Sequence, residues 1–401
     1  MKIGSNNHLC YSMNVFPEKD WLREDAVIRA KILALRREVT GSDSANFAIG
    51  LWFDAATACE FRKKKNLDNL KKWLSDNKLY VFTFNAFPYG IFHGRPVKKV
   101  VYLPDWTSGE RLEYTCTVAD ILSELLPIGI TGSISTLPGG YKSSIKSEKR
   151  IAKIAGNLLA AGKHLNDIYI KTGKKIILGI EPEPDCLWEN PSELISFYNK
   201  FLFSRTLENK NIGVCYDTCH QEVLFSRPGQ GIRELIENGI PIAKIQLSAA
   251  LKAPSLPSKK TLAKFADEIY LHQTRVIEED GSISRYADLP EANGRADKSS
   301  PWLVHFHIPV FSGKLSGGLV TAKKELEEVL ELISSNKIPC ENLEIETYTF
   351  SVLPENMRKA GALKMIKKEY RWIKKFFCRS SAGLSDPRLS GQIDPSYFAG
   401  T

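Results

Sequence analysis

Long apolar runs are missing from this 401-residue chain, and none approaches the roughly 20 consecutive apolar residues that a membrane span needs. The first residues, Met1 to Asn7, carry no apolar core and no cleavage pattern, so the chain reads as soluble and cytoplasmic. Paired Cys-x-x-Cys spacing is also missing. The eight cysteines (Cys10, Cys59, Cys116, Cys186, Cys215, Cys219, Cys340 and Cys378) are scattered, without the density of a secreted disulfide framework. No apolar run leads into a Gly-x-Gly-x-x-Gly turn, which argues against a dinucleotide-binding open sheet. Acidic residues are in deficit and leave a formal charge of +9, but the surplus lies in helical spacing at Arg62-Lys63-Lys64-Lys65, Lys71-Lys72 and Lys367-Lys368 to Lys374-Lys375. Lysines in that pattern form a solvated face more often than a nucleic-acid site, so a polyanion partner is not indicated.

What is present is a rhythm. Apolar runs at 9–16, 47–53, 80–87, 130–137, 175–180, 212–217, 242–247 and 343–349 alternate with helical spacing, and 43% hydrophobic residues suffice for a large core. Eight strands with interleaved helices predict an α/β chain folded as a (β/α)8 TIM barrel over 9–377. Between the seventh and eighth strands an insertion carries a predicted helix at 261–273, a hairpin turning at Asp280-Gly281, and the run 302–311. The tail, 378–401, is rich in Ser, Gly, Pro and Asp without periodicity and reads as disordered.

The ends of the strands carry the chemistry. Gly213-Val214-Cys215-Tyr216-Asp217-Thr218-Cys219-His220 is an apolar run that stops at a carboxylate and, three residues on, an imidazole. Parallel strands present ligand groups at their C-terminal ends, although Asp217 equally suits a helix cap and His220 a surface position. Other strands end in the same way, at Glu181 within Glu181-Pro182-Glu183-Pro184, at Gln246, at Glu346, and at His305 or His307 in the inserted run. Residues two apart on a strand share a face, which pairs Glu344 with Glu346, Lys244 with Gln246 and His305 with His307. Carboxylate, imidazole and amide donors suit Mn²⁺ or Zn²⁺ ahead of Mg²⁺. Without a cation, three gathered carboxylates raise one another's pKa, unless they are protonated or paired with Lys244.

Glu181, Asp217, His220, Glu346, His305 and His307 are therefore the candidate metal ligands. Glu183 and Glu189 are candidate general bases, or plain loop carboxylates, and Lys244 is a candidate charge stabiliser. His93, in a strand-end loop, is a candidate substrate contact together with Asn85, Gln246 and Glu344. Cys219 beside His220 makes a poor nucleophile, because adjacent side chains rarely face each other.

Set out in this way, the chain resembles the xylose isomerase-like TIM barrels, which include sugar isomerases and epimerases and the class II apurinic endonucleases. Asp217-Thr218-Cys219-His220 is similar to their Asp-Thr-x-His motif, Glu181 and Glu346-Thr347 to the carboxylates ending the fifth and last strands, and His305-Phe306-His307 to the endonucleases' Asp-x-His. More specifically, the chain resembles the EboE family of metabolite traffic proteins. That match runs through Asn85-Ala86-Phe87-Pro88-Tyr89-Gly90, Tyr102-Leu103-Pro104-Asp105-Trp106, Gly132 to Pro138, Lys244 to Ser248, Tyr270-Leu271-His272-Gln273 and Glu344 to Thr349. The resemblance implies a divalent metal and a small polar secondary-metabolite precursor. It also implies action or escort alongside other Ebo-type operon products, including a prenyltransferase-like membrane partner. If catalytic, the activity would be of metal-dependent isomerase or epimerase type. Phe87, Leu137 and Gln246 stand where the endonucleases carry further zinc histidines, which argues against a three-metal cluster and ranks DNA repair last.

Overall fold

A barrel strand is covered outside by helices and inside by its neighbours, so it must be apolar almost throughout. The eight runs fold accordingly. A computed structural model describes residues 1–380 except 5, 17–25, 91, 93–95, 204–207, 296–298, 354 and 360. Its first seven barrel strands are β1 (Asn7–Tyr11), β2 (Phe47–Trp52), β3 (Leu79–Asn85), β4 (Gly132–Thr136), β5 (Ile176–Ile180), β6 (Ile212–Asp217) and β7 (Ile242–Leu247). An inserted sheet, β8 (Ala250–Ala253), β9 (Thr274–Ile277), β10 (Ile283–Tyr286), β11 (Trp302–Val304) and β12 (Val320–Ala322), precedes the eighth barrel strand, β13 (Asn342–Ile345). Neighbours from β2 to β7 pair in parallel, and β13 pairs in parallel with both β7 and β1. A parallel bridge from Ser12 to Gly50 closes the ring.

The polar residues inside the ring are matched to its small ones. Lys244 on β7 forms an ion pair with Glu344 on β13, both fully buried, as two charges taken out of water require. A Cβ at Gly50 would lie 1.9 Å from Glu344 Oε1, so β2 must be glycine there for the pair to fit. Helices cover the outside. The longest, Glu148–Thr172, starts where Ser147 caps the Arg150 N–H and stops at Gly173, whose φ of 70° is left-handed.

The insertion leaves the C-terminal mouth of the barrel and returns to it. Its sheet is antiparallel in the order β10-β9-β11-β8-β12. The hairpin at Asp280-Gly281 forms as expected, between β9 and β10. The helix expected at 261–273 instead spans Leu256–Leu262, because Ser255 and Ser258 form a capping box and Pro257 lies in the first turn. The basic stretch after β2 is two helices, Ala55–Phe61 and Lys64–Asp76, broken at Lys63, whose ψ of 118° is extended. The last helix, Ala362–Ser380, continues past the expected boundary at 377, and the tail from 381 lies outside the described residues. No described helix is long and apolar enough to cross a membrane.

Candidate metal centre

The C-terminal ends of the strands open on a cleft whose lining includes Glu181, Glu183, His220, His305, His307 and Glu346. Asp217 stands behind it as the N-cap of the short helix Thr218–Val223. Its Oδ1 accepts from the N–H groups of Cys219 (2.7 Å) and His220 (3.0 Å) and from Ser248 Oγ (2.7 Å). Its Oδ2 is buried without a hydrogen-bond partner. Cap and candidate ligand are thus one residue, divided between its two oxygens.

Three imidazoles meet in the cleft. His220 Nε2 lies 3.1 Å from His305 Nε2, which lies 3.1 Å from His307 Nε2. The two inserted histidines arrive there because β11 pairs with β8 and hands the chain back across the mouth, where His305 N–H donates to Gln273 O and Ile308 N–H to Ala249 O. Their outer nitrogens are committed. His220 Nδ1 is 3.0 Å from Pro182 O and His307 Nδ1 is 2.8 Å from Glu346 O, and since a carbonyl oxygen only accepts, both carry the ring proton. His305 Nδ1 lies 2.7 Å from Gln273 Oε1. The Gln273 amide nitrogen faces Glu183 Oε1 and Pro184 O, which fixes the amide and makes His305 Nδ1 a donor too.

The Nε2 atoms therefore face one another, with the Nδ1 protons directed outward. Burial holds the His220 imidazole down to about 4, and burial together with the neighbouring imidazoles holds His305 well below its ordinary value. Two nitrogens at ~2.05 Å from one tetrahedral ion stand ~3.3 Å apart, so the observed spacing fits a shared cation.

A second donor group adjoins the first. Single oxygens of Glu181, Asp217 and Glu346 lie within 4.8 Å of one another, and Asp217 also groups with His220 and His307. Burial, reinforced by the neighbouring carboxylates, raises Glu181 and Glu346 well above the carboxylate range. Asp217 goes the other way, because the facing imidazoles and its hydrogen bonds outweigh its burial. Glu181 Oε2, like Asp217 Oδ2, is buried and unpartnered. The donor chemistry fits a divalent ion from both sides.

Glu183 lies at the edge of this constellation. It accepts from Tyr102 Oη (2.8 Å) and Gln273 Nε2 (3.2 Å), and burial outweighs those bonds to lift its carboxyl to about 7. Other candidates lie elsewhere. Glu189 is clamped by Lys142 (3.0 Å), Arg275 (3.1 Å) and Arg285 (2.6 Å) and does not line the cleft. Nor do Lys244 and Glu344, which occupy the barrel interior, or Gln246, whose Oε1 and Nε2 are both buried without partners. Asn85 does line the cleft and donates to Glu346 Oε1 (3.1 Å), alongside Asn14 (2.8 Å). His93 lies outside the described residues. Asn14, Tyr102, Gln273 and Tyr348 were not singled out as site residues. Three of them fall in the stretches that carry the family resemblance, which is the signal that was there, whereas Asn14 follows the first strand with no pattern of its own.

Two solved structures share this architecture. An L-ribulose 3-epimerase matches 97% of this chain and 100% of its own at 12% identity, with a TM-score of 0.51. A xylose isomerase-like TIM barrel protein from Mycobacterium smegmatis, solved in complex with magnesium, matches 95% of this chain and 99% of its own at 11% identity, also with a TM-score of 0.51. The fold is the xylose isomerase-like TIM barrel. No protein-family model and no curated protein matches the sequence. In this xylose isomerase-like barrel both donor groups lie at the C-terminal end of the ring, where barrels of this kind carry their active sites.

Proposed function

We propose that this barrel is a divalent-metal-dependent isomerase or epimerase acting on a small hydroxy-carbonyl compound. The placing of His305 Nε2 within 3.1 Å of the Nε2 atoms of both His220 and His307 is the observation that supports it most. His220, His305 and His307 would hold the ion, an oxygen of Asp217 groups with His220 and His307, and donors of this kind suit Zn²⁺ or Mn²⁺. When bound, the ion supplies a positive charge that polarises a substrate oxygen. Glu183 lines the same cleft and is held by Tyr102 and Gln273, so it is placed to take a proton from the carbon next to that oxygen and return it. Asn14 and Asn85 orient Glu346.

The test is proton exchange. Metal-loaded protein incubated with a panel of free ketoses in D₂O incorporates deuterium next to the carbonyl, and Glu183→Gln slows this by roughly 10²–10⁴-fold at unchanged metal content. Full exchange in Glu183→Gln would remove that residue from the chemistry.

A second reading is an escort that binds a metabolite without turning it over, in the manner of the EboE-like traffic proteins the sequence resembles. Gln246 favours it, because a neutral amide occupies a strand end where a stronger donor would serve catalysis better. Tight ketose binding with no deuterium uptake after long incubation would select that reading.

A further inference from the structure

The wall beside the donors is aromatic. Phe92, Tyr270 and Tyr348 form a triangle with ring centroids 5.2, 5.3 and 5.2 Å apart, and the Tyr348 ring lies 4.8 Å from that of His307. Phe87, Pro88 and Leu271 extend the apolar lining. An apolar surface thus reaches directly to an imidazole whose lone pair faces the ion site. The polar lining combines Glu181, Glu183 and Glu346 with the three imidazoles, Asn14 and Asn85. Among the described lining residues the only lysine or arginine is Lys98, and it is spent on Asp288 Oδ2 (2.6 Å) and Asp267 O (2.9 Å).

These features select a ligand. An aromatic wall rewards a flat apolar group through buried area and ring-to-ring geometry. Resting on the metal reading above, we propose that the cleft takes a neutral hydroxy-carbonyl compound bearing a ring or other planar apolar group. Its oxygens face His220, His305 and His307, and its apolar end lies against Phe92 and Tyr348.

Two chelators with the same head and different tails read the wall directly. Calorimetry on the zinc-loaded full chain compares benzohydroxamate with acetohydroxamate, and zinc is assayed on the same samples. The phenyl compound binds about tenfold tighter or better, and Phe92→Ala or, as a second variant, Tyr348→Leu brings the ratio below about threefold while the methyl compound is unaffected. Equal affinities in zinc-loaded wild type would overturn the proposal. Absence of zinc uptake would instead overturn the metal reading and take this proposal with it.

Discussion

A neutral histidine has one nitrogen that donates and one that accepts, and the partner of the first decides where the second points. Pro182 O, Gln273 Oε1 and Glu346 O accept from the Nδ1 atoms of His220, His305 and His307, and so leave the Nε2 atoms turned toward one another. His305→Ala removes one donor and lowers Zn²⁺ affinity by roughly 100-fold or more, while Gln273→Leu, which only frees the outer proton, costs roughly 10–100-fold. Competition with a chromophoric chelator measures both, and Glu189→Gln is the control expected to change nothing. At this scale the sequence was informative about identity and poor about role. Asp217, His220 and Glu346 stand out as charges ending apolar runs, but the same criterion selects Lys244 and Glu344, which satisfy each other inside the ring. A buried ion pair and a ligand set look alike until distances separate them.

Between elements, the least expected contact is that of β6 with the helix Lys324–Ser334. Tyr216 Oη (2.7 Å) and the Gly229 N–H (2.8 Å) both donate to Glu325 on that helix, and burial nevertheless lifts its carboxyl to about 7. A carboxyl whose folded value lies above its unfolded one binds its proton more tightly in the folded state. Its contribution is complete below an unfolded value near 4.5 and is lost as pH rises through about 7, up to about 3 kcal/mol in all. Urea denaturation at pH 5 and pH 8 will show Glu325→Gln losing less stability over that interval than wild type. Parallel losses would contradict the assignment. The elements legible in the sequence were those with long periodicity, the barrel strands and the helix Glu148–Thr172. Within the insertion the hairpin was legible from its Asp-Gly turn, whereas Ala250–Ala253 and Val320–Ala322 escaped because they are too short to establish a period. His305 and His307 share a site although the strand ends before them, at Val304, so their convergence comes from the chain's return across the mouth and not from pleat alternation.

For the whole molecule, a ring of parallel strands brings distant positions to one rim. Glu181, Asp217 and Glu346 follow three different strands, and the histidine pair belongs to an insertion grown from the same rim. That gathering was legible in outline, since eight alternating runs imply a barrel and a barrel implies one functional end. The division of the rim into an imidazole group and a carboxylate group was not, because it depends on which oxygen of Asp217 the next helix claims. Zinc K-edge absorption on protein loaded with one equivalent of Zn²⁺ tests this most directly. The predicted spectrum shows imidazole scattering from three nitrogens at about 2.0–2.1 Å. A shell of oxygens without imidazole scattering, or no uptake of the ion, would contradict it.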